Sequence, residues 1–453
     1  MKRVATLCAA IVGFVSAYAG LSGEYTVDPN GSGRSNFKTF AELGEALQFK
    51  GIDEDVIVRI APGEYAEPLI LRSVANPAGH DVVIDGNGQA SISTYNYAVY
   101  LEGSSGVELR GLHLRSTVEM RGGVIYVSNS DGNSIRDCEL VMEASGDDGD
   151  MVAVRMTSSS KFNTISQCTI DGAAGVSISK LSEGNTVEAS TLRVRDFAIT
   201  LADAPDTRIL DNQMIGAEQA ESTAIVLDGY AGSTEIQANA MTNFASGILQ
   251  ELTYRSSDQP FDGVITNNTV HAVAGPCISI QSHVNGAQIA FNSMQSNGAP
   301  AVVMTDPISS EMSGIQLVGN NLTRGDDGAV IDIRCTEAVS TADYNNIFGL
   351  SGFVAQYGDV QFDELAQWNE ATGNGNTLSA DPEYVGVGGA NAFILGPQSP
   401  CIDAGPNAIA LGVLNDIHGD TRGAQAEIGA DEFNELTLEK LSKTYQLATA
   451  SSR

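Results

Sequence analysis

The sequence predicts an all-β solenoid of stacked parallel strands, and three observations carry that prediction. An aliphatic residue, a small residue or Asn three places on, and another aliphatic two further recur nine times. The copies start at Leu109, Ile135, Ile165, Val187, Ile209, Ile236, Ile265, Ile289 and Leu317. Five successive copies carry Asn at the small position: Asn212, Asn239, Asn268, Asn292 and Asn320. Each copy follows a second short strand with alternating aliphatics, as at 152–156, 176–178 and 302–304. Period-two alternation turns one side of each strand inward, and no single coil of about 25 residues buries that side alone, so the coils must stack. Unequal spacing, 22 to 30 residues between copies, implies turns of variable length.

The elements follow in chain order. Lys2 and Arg3, an apolar stretch over 4–15 and Ala17-Tyr18-Ala19 before Gly20 read as an export signal over 1–19. That stretch is too short for a permanent membrane span. Cys8 lies inside it behind bulky Leu7, which argues against a lipid anchor. Next comes a leading cap: a strand at Tyr25 to Asp28, then a helix over 37–47 with Phe37, Phe40, Leu43 and Leu47 on one face, laid over a sheet end that would otherwise be bare. Residues 56–60 begin the first coil, and cap and coils together occupy 20–342. With about twelve coils rising ~4.8 Å each, the column measures on the order of 55 to 60 Å. Asn suits a tight corner because it tolerates left-handed backbone, and its amide can bond the identical amide one coil away. Leu112, Cys138, Cys168 and Ser190 hold the same register upstream. From 343 to 433 the repeat gives way to an irregular closing cap rich in aromatics, including the only tryptophan, Trp368, and 434–453 form a tail with a short amphipathic helix.

Charge and cysteines bound the partners. The net charge of −32 becomes −34 once the leader is removed, which repels nucleic acid and anionic lipid. Polyanionic polysaccharide is repelled too unless cations bridge. Five cysteines remain after the leader, an odd number, so at least one is unpaired. Cys138 and Cys168 share a repeat position in neighbouring coils and read first as stacked structural thiols, second as a disulfide. The expected state is a monomer.

The repeat, together with Tyr25-Thr26-Val27-Asp28 to Gly33, Ala61-Pro62-Gly63-Glu64-Tyr65, and the closing stretches at 399–405, 419–422 and 428–433, resembles exported bacterial right-handed parallel β-helix proteins of the pectin-lyase-like superfamily. The resemblance implies a right-handed parallel β-helix with a leading cap helix, outside the cytoplasm, secreted or at the cell surface. In enzymes of that superfamily it further implies a groove along one outer sheet for a sugar chain. It does not supply the chemistry, since the superfamily spans lyases, hydrolases and adhesins. A lyase needs a base and a cation for the uronate carboxylate, and a hydrolase needs paired carboxylates. The motifs of pectate lyases, polygalacturonases and alginate lyases are absent.

Outward positions of the preceding strands run Arg155, Ser177, Thr200, Val226, Ser279, Val303, Asp332, and those after the corner include His113, Glu139, Thr169 and Thr191. Both rows are mostly small and neutral. Three loop groups remain. Tyr254, Arg255 and Asp258, with His271 and His283 in the following coil, supply a phenol, a cation and a base, and form the candidate sugar-contacting cluster. Asp147, Asp148 and Asp150, then Asp326 and Asp327, offer hard oxygen ligands that suit calcium, against the plainer reading of solvated acidic turns. The aromatics from Tyr344 to Trp368 either stack on sugars or pack beneath the closing cap. Two functions fit: a carbohydrate-active lyase or hydrolase acting on extracellular polysaccharide, and a non-catalytic, adhesin-like surface or matrix protein that binds glycan or protein through flat sheets.

Overall fold

The computed structural model describes residues 20–434 apart from 75, 77, 78, 119–121, 145–150, 220, 252–259, 282, 306–311, 387 and 388. The expected export signal over 1–19 and the helix after 434 lie outside the described residues. Each coil contributes three strands, for example Gln288–Ala290, Ser293–Ser296 and Val302–Met304. First and second strands join into one 24-stranded sheet bent at the Asn corner, and third strands form a separate 13-stranded sheet. Among the described residues the strand pairings between coils are parallel, and antiparallel pairing is confined to the closing end: the hairpin Ala355–Tyr357 with Val360–Phe362 and the bridges Tyr384 to Leu395 and Asn415 to Thr421. The architecture is the expected right-handed parallel β-helix.

Packing follows the repeat residue by residue. Leu109, Ile135, Ile165, Val187, Ile209, Ile236, Ile265, Ile289 and Leu317 are register partners from coil to coil. All nine are buried. Burying one such side chain contributes roughly 1.5 to 3 kcal/mol, so the central stack supplies much of the column's cohesion.

The corner amides form the ladder. Asn212 Nδ2 donates to Asn239 Oδ1 at 3.0 Å, and the bond repeats from Asn239 to Asn268, Asn268 to Asn292 and Asn292 to Asn320 at 2.9 to 3.0 Å. A further rung, Asn320 to Asn345 at 3.1 Å, extends it. Each Oδ1 also accepts from the backbone N–H of the preceding rung's Asn, and each Nδ2 also donates to a carbonyl of the coil before. The left-handed backbone, however, belongs to the residue before the amide: Asp211, Ala238, Asn267, Phe291, Gly319 and Tyr344 have φ of 55°, 56°, 55°, 55°, 70° and 56°. The ladder Asn is selected for its side chain, and its neighbour makes the turn.

Two further stacks line the opposite corner. Asn133, Asn163 and Asn185 repeat the amide ladder at 2.9 and 3.1 Å. Ser104, Ser130, Ser160 and Ser182 each accept the backbone N–H of the coil before through Oγ. Cys138 and Cys168 continue the first ladder as buried free thiols. Their mutual hydrogen bond, with burial second, holds the Cys138 thiol well above its ordinary range.

At the leading end, helix α1 spans Phe40–Lys50 and buries Phe40, Leu43 and Leu47. It starts later than expected because Thr39 caps it, accepting from Glu42 N at 3.1 Å, while Phe37 joins a short strand and stacks on Tyr25. Gly44 permits the approach, since a Cβ there would lie 2.5 Å from the Ile70 carbonyl oxygen. At the closing end the rungs continue past 343: Val339–Asp343, Asn346–Gly349 and Ala355–Tyr357 each pair with the coil before. Helix α2, Leu365–Thr372, then covers the open end with fully buried Trp368, whose ring meets Tyr357 and Phe353 at 5.6 and 6.4 Å. These aromatics pack beneath the cap. The chain beyond doubles back along the flank, where Arg422 and Gly429 reach Asn267 and Gly319. Among the described residues no helix is long and apolar enough to cross a membrane.

Replacing Asn268 by Ala strips the acceptor from both the backbone N–H and the amide of Asn239. The Asn239 amide keeps the Ile209 and Gln237 carbonyls, so one buried donor, its backbone N–H, is left unpaired, which predicts a loss of about 1 to 3 kcal/mol in urea unfolding. The outward control Thr191→Ala should stay within about 0.5 kcal/mol. Equal midpoints for the two variants would remove the ladder from the account of stability.

Candidate functional site

Of the residues singled out from sequence, His271, His283, Asp326 and Asp327 are among the described residues. Tyr254, Arg255, Asp258, Asp147, Asp148 and Asp150 lie outside the described residues. His271 ends the second strand Thr269–Ala272, half-buried, with Nε2 3.2 Å from Asn297 Nδ2, and burial holds its imidazole below the ordinary value. His283 sits at the far side of the third strand Ile278–Ile280, in left-handed backbone. Asp326 is clamped by Arg324 at 2.8 and 3.2 Å, which keeps its carboxyl below the usual range, and Asp327 accepts from Ser351. Both carboxylates already have protein partners.

The third-strand sheet holds the most distinctive surface. Its outward row runs in register through Ile70, Tyr100, Tyr126, Arg155, Ser177, Thr200, Val226, Leu249, Ser279, Val303 and Asp332. Tyr97, from the turn before, completes a triad with Tyr100 and Tyr126 whose ring centroids are 5.0 to 5.2 Å apart. The rings are half-buried by one another, and burial, then Tyr97 and Tyr126, push the Tyr100 phenol up. Arg155 is the next rung, followed by a shallow depression of about 150 Å³ that Ser177, Phe197 and Thr200 help to line. An aromatic platform, a guanidinium and a hydroxyl shelf thus lie in line.

The expectation of small, neutral outer faces holds for the middle coils and fails for the opening ones. The alternation itself contained the missed signal: Val99 and Leu101, and Ile125 and Val127, point inward, which turns Tyr100 and Tyr126 out. The opening coils also carry ion pairs. Arg110 bonds Asp85 at 2.6 Å, Arg136 bonds Glu108 at 2.8 Å and Arg115 bonds Glu143 at 2.6 Å. His113 lies between Glu139 at 2.7 Å and the Gly88 carbonyl at 3.1 Å; the carbonyl first and Glu139 second raise its imidazole above the ordinary value. These pairs join adjacent rungs and tie coil to coil.

Along the edge of the third-strand sheet, Asp228 and Glu251 are in-register neighbours on adjacent rungs. Burial, then the Asp228 carboxylate, pushes Glu251 up. Side-by-side strands set such a pair about 4.8 Å apart at the backbone.

A protein-family model described as "Periplasmic copper-binding protein (NosD)" matches residues 80–259. No curated protein matches the sequence significantly. Among solved structures, pectate lyase Pel9A is similar at 12% identity, over 92% of this chain and 98% of that one, with a TM-score of 0.48. A mannuronic acid specific family 6 lyase from human gut microbiota is similar at 11% identity, over 80% and 92%, with a TM-score of 0.47. The A-module of the Azotobacter vinelandii mannuronan C-5 epimerase AlgE6 is similar at 15% identity, over 79% and 100%, with a TM-score of 0.44.

Copper favours imidazole together with thiolate or thioether donors. Among the described residues no three His, Cys, Asp or Glu side chains are placed to hold a metal. Cys138 and Cys168 lie within the matched segment, but they are buried and bonded to each other and to carbonyls. His80 and His113 are each turned to one carboxylate. The described residues therefore do not fit a copper ion. The chain is a right-handed parallel β-helix protein of the pectin-lyase-like fold, matched by the NosD family model over residues 80–259.

Proposed function

We propose that this protein works outside the cytoplasm and binds an extracellular polysaccharide along its third-strand sheet. The observation that carries the reading is the Tyr97, Tyr100 and Tyr126 platform in line with Arg155. Flat rings present an apolar face to the C–H side of a pyranose while their hydroxyls stay wet, and a guanidinium beside them donates to a sugar oxygen or carboxylate in fork geometry. The row of small residues beyond leaves the groove unobstructed for further sugar units. Export rests on the leader-like first 19 residues and on the periplasmic description of the matched family. The chain's strong negative charge favours neutral glycans, or acidic ones whose charge is bridged by cations such as calcium.

A second reading, hydrolysis, rests on Asp228 and Glu251. Two neighbouring carboxyls, one of them pushed up by burial, are the kind of pair that protonates a glycosidic oxygen from one side and stabilises the oxocarbenium from the other. Glu251 would be the acid and Asp228 its partner.

The joint variant Tyr100→Ala, Tyr126→Ala should weaken retention on the polysaccharide that binds best, in affinity electrophoresis across a neutral and uronate panel. The expected loss is at least about tenfold, about 1.4 kcal/mol. Unchanged retention with intact folding would end the platform reading. Hydrolysis is read separately as new reducing ends on the same panel. If the unaltered chain releases them, Glu251→Gln should lower the rate by at least about a hundredfold. If the unaltered chain releases none, the binding reading stands alone.

A further inference from the structure

The returning segment that lies along the solenoid flank buries more acid than base. Arg422 is fully buried, with Nη1 2.5 Å from Glu432, Nη2 donating to Asn267 Oδ1 at 2.9 Å and to the Gly429 carbonyl at 2.7 Å, and its guanidinium 4.4 Å from the Phe291 ring centroid. Around it stand Asp416, Glu427, Asp431 and Glu432, three of them buried to under a tenth of their surface. Asp416 accepts the backbone N–H groups of His418, Asp420 and Glu432, each at 2.8 Å, and so ties both ends of the segment together. Asp431 accepts from Leu395 N at 2.8 Å and lies 3.6 Å from His418 Nε2. Four carboxyls face one guanidinium and one imidazole, so they cannot all be ionised while buried without leaving charge uncompensated.

The surroundings do not relieve this. Among the described residues the solenoid meets the segment through uncharged Asn267, Ser293, Gly319, Asn321 and Phe291, and at Leu411 and Val413 it adds two more acids, Glu235 and Asp262. The neighbouring stretch adds Asp381 and the buried Tyr384 phenol, and the segment itself adds Asp403, Asp420 and the Cys401 thiol, none of them a cation.

We propose that residues 393–434 form a proton-locked clasp, held to the flank while Asp416, Glu427, Asp431 and Glu432 retain a proton among them and released when it leaves. Release bares the corner at Asn267, Phe291 and Gly319 and opens the cleft of about 480 Å³ that Leu411 and Val413 share with Glu235, Asp262 and Gln288. The titration agrees with the geometry. Burial first, then the hydrogen bond and charge of Glu432, push Glu427 up to about 9, and burial pushes Asp431 up to about 7 and Asp416 upward as well. A carboxyl raised in the folded state favours folding fully below its ordinary value, and that contribution is lost as pH climbs toward the folded one. The clasp is therefore tightest in acid and weakens through neutral to moderately alkaline pH, the reverse of a carboxylate held in a salt bridge.

The test uses two buried thiols in one molecule. Cys401 belongs to the clasp and Cys277 to the solenoid, and burial pushes them up to about 11 and about 12 respectively, so thiolate chemistry alone changes both in parallel. Iodoacetamide labelling is read by peptide mass spectrometry from about pH 6 to about pH 10 as the ratio of Cys401 to Cys277 modification. That ratio should rise at least about tenfold in the unaltered chain and less than about twofold in Glu427→Gln, which keeps a neutral side chain in place. A flat ratio in the unaltered chain, or a full rise that survives in Glu427→Gln, overturns the clasp. Should Glu427→Gln fail to fold, seen as labelling of Cys277, then Asp431→Asn is read by the same ratio and the same two outcomes.

Discussion

Register is the constraint on which the rest of this structure depends. In a parallel stack every side chain has its counterpart in the next coil directly above it, so whatever occupies a position must tolerate a copy of itself at the strand spacing of about 4.8 Å. Aliphatic residues meet that demand by packing, and Asn meets it by donating and accepting at once. The corner amides therefore hold the register where the backbone turns and regular pairing lapses. Loops between strands vary in length from coil to coil without disturbing it, which is why the spacing of the repeat is so uneven while the ladder bonds differ by only a few tenths of an ångström.

Most of the solenoid was legible because stacking repeats the same physical choice in the sequence. The nine aliphatic positions and the five amides each fall where the alternation puts them. The second amide ladder was equally visible in principle, since Asn133, Asn163 and Asn185 each sit two places before a repeat aliphatic. Its signal lies before the repeat aliphatic, on the opposite side from the amides of the first ladder. The left-handed corner residues were assigned to the wrong neighbour: Asp211, Ala238, Phe291 and Tyr344 share a backbone conformation but no side-chain type, so sequence pattern had no hold on them. The returning segment was legible only as polar residues that bind one another. Its contacts with Asn267 and Ser293 span 155 and 137 residues, and no local pattern encodes such a contact.

Surface chemistry was harder to read than fold for the same reason. A charge or ring on the outer face has no copy in the next coil, and the pattern that reveals the core is silent about it. Tyr100 and Tyr126 are legible as outward positions, but their meeting with Tyr97 depends on the path of a turn. The ion pairs of the opening coils likewise join rungs 25 to 28 residues apart, such as Arg110 with Asp85 and Arg115 with Glu143. The outcome is a molecule whose opening coils carry outward rings and charges and whose middle coils are plain.

The ladder also has a direction. Asn212 and its successors each offer backbone and side-chain N–H groups to the Oδ1 of the following coil, and their backbone carbonyls accept from it, so an incomplete column always ends in dangling donors and acceptors. A chain that emerges from a membrane channel with its amino terminus leading would build coils in that order, each arrival quenching the N–H groups of the last. Growth stops only where Leu378 reaches back to the Asn345 carbonyl and α2 closes the end. A molecule halted midway would expose a polar, adhesive rim able to recruit a strand from another chain, so the closing coil guards against fibre formation.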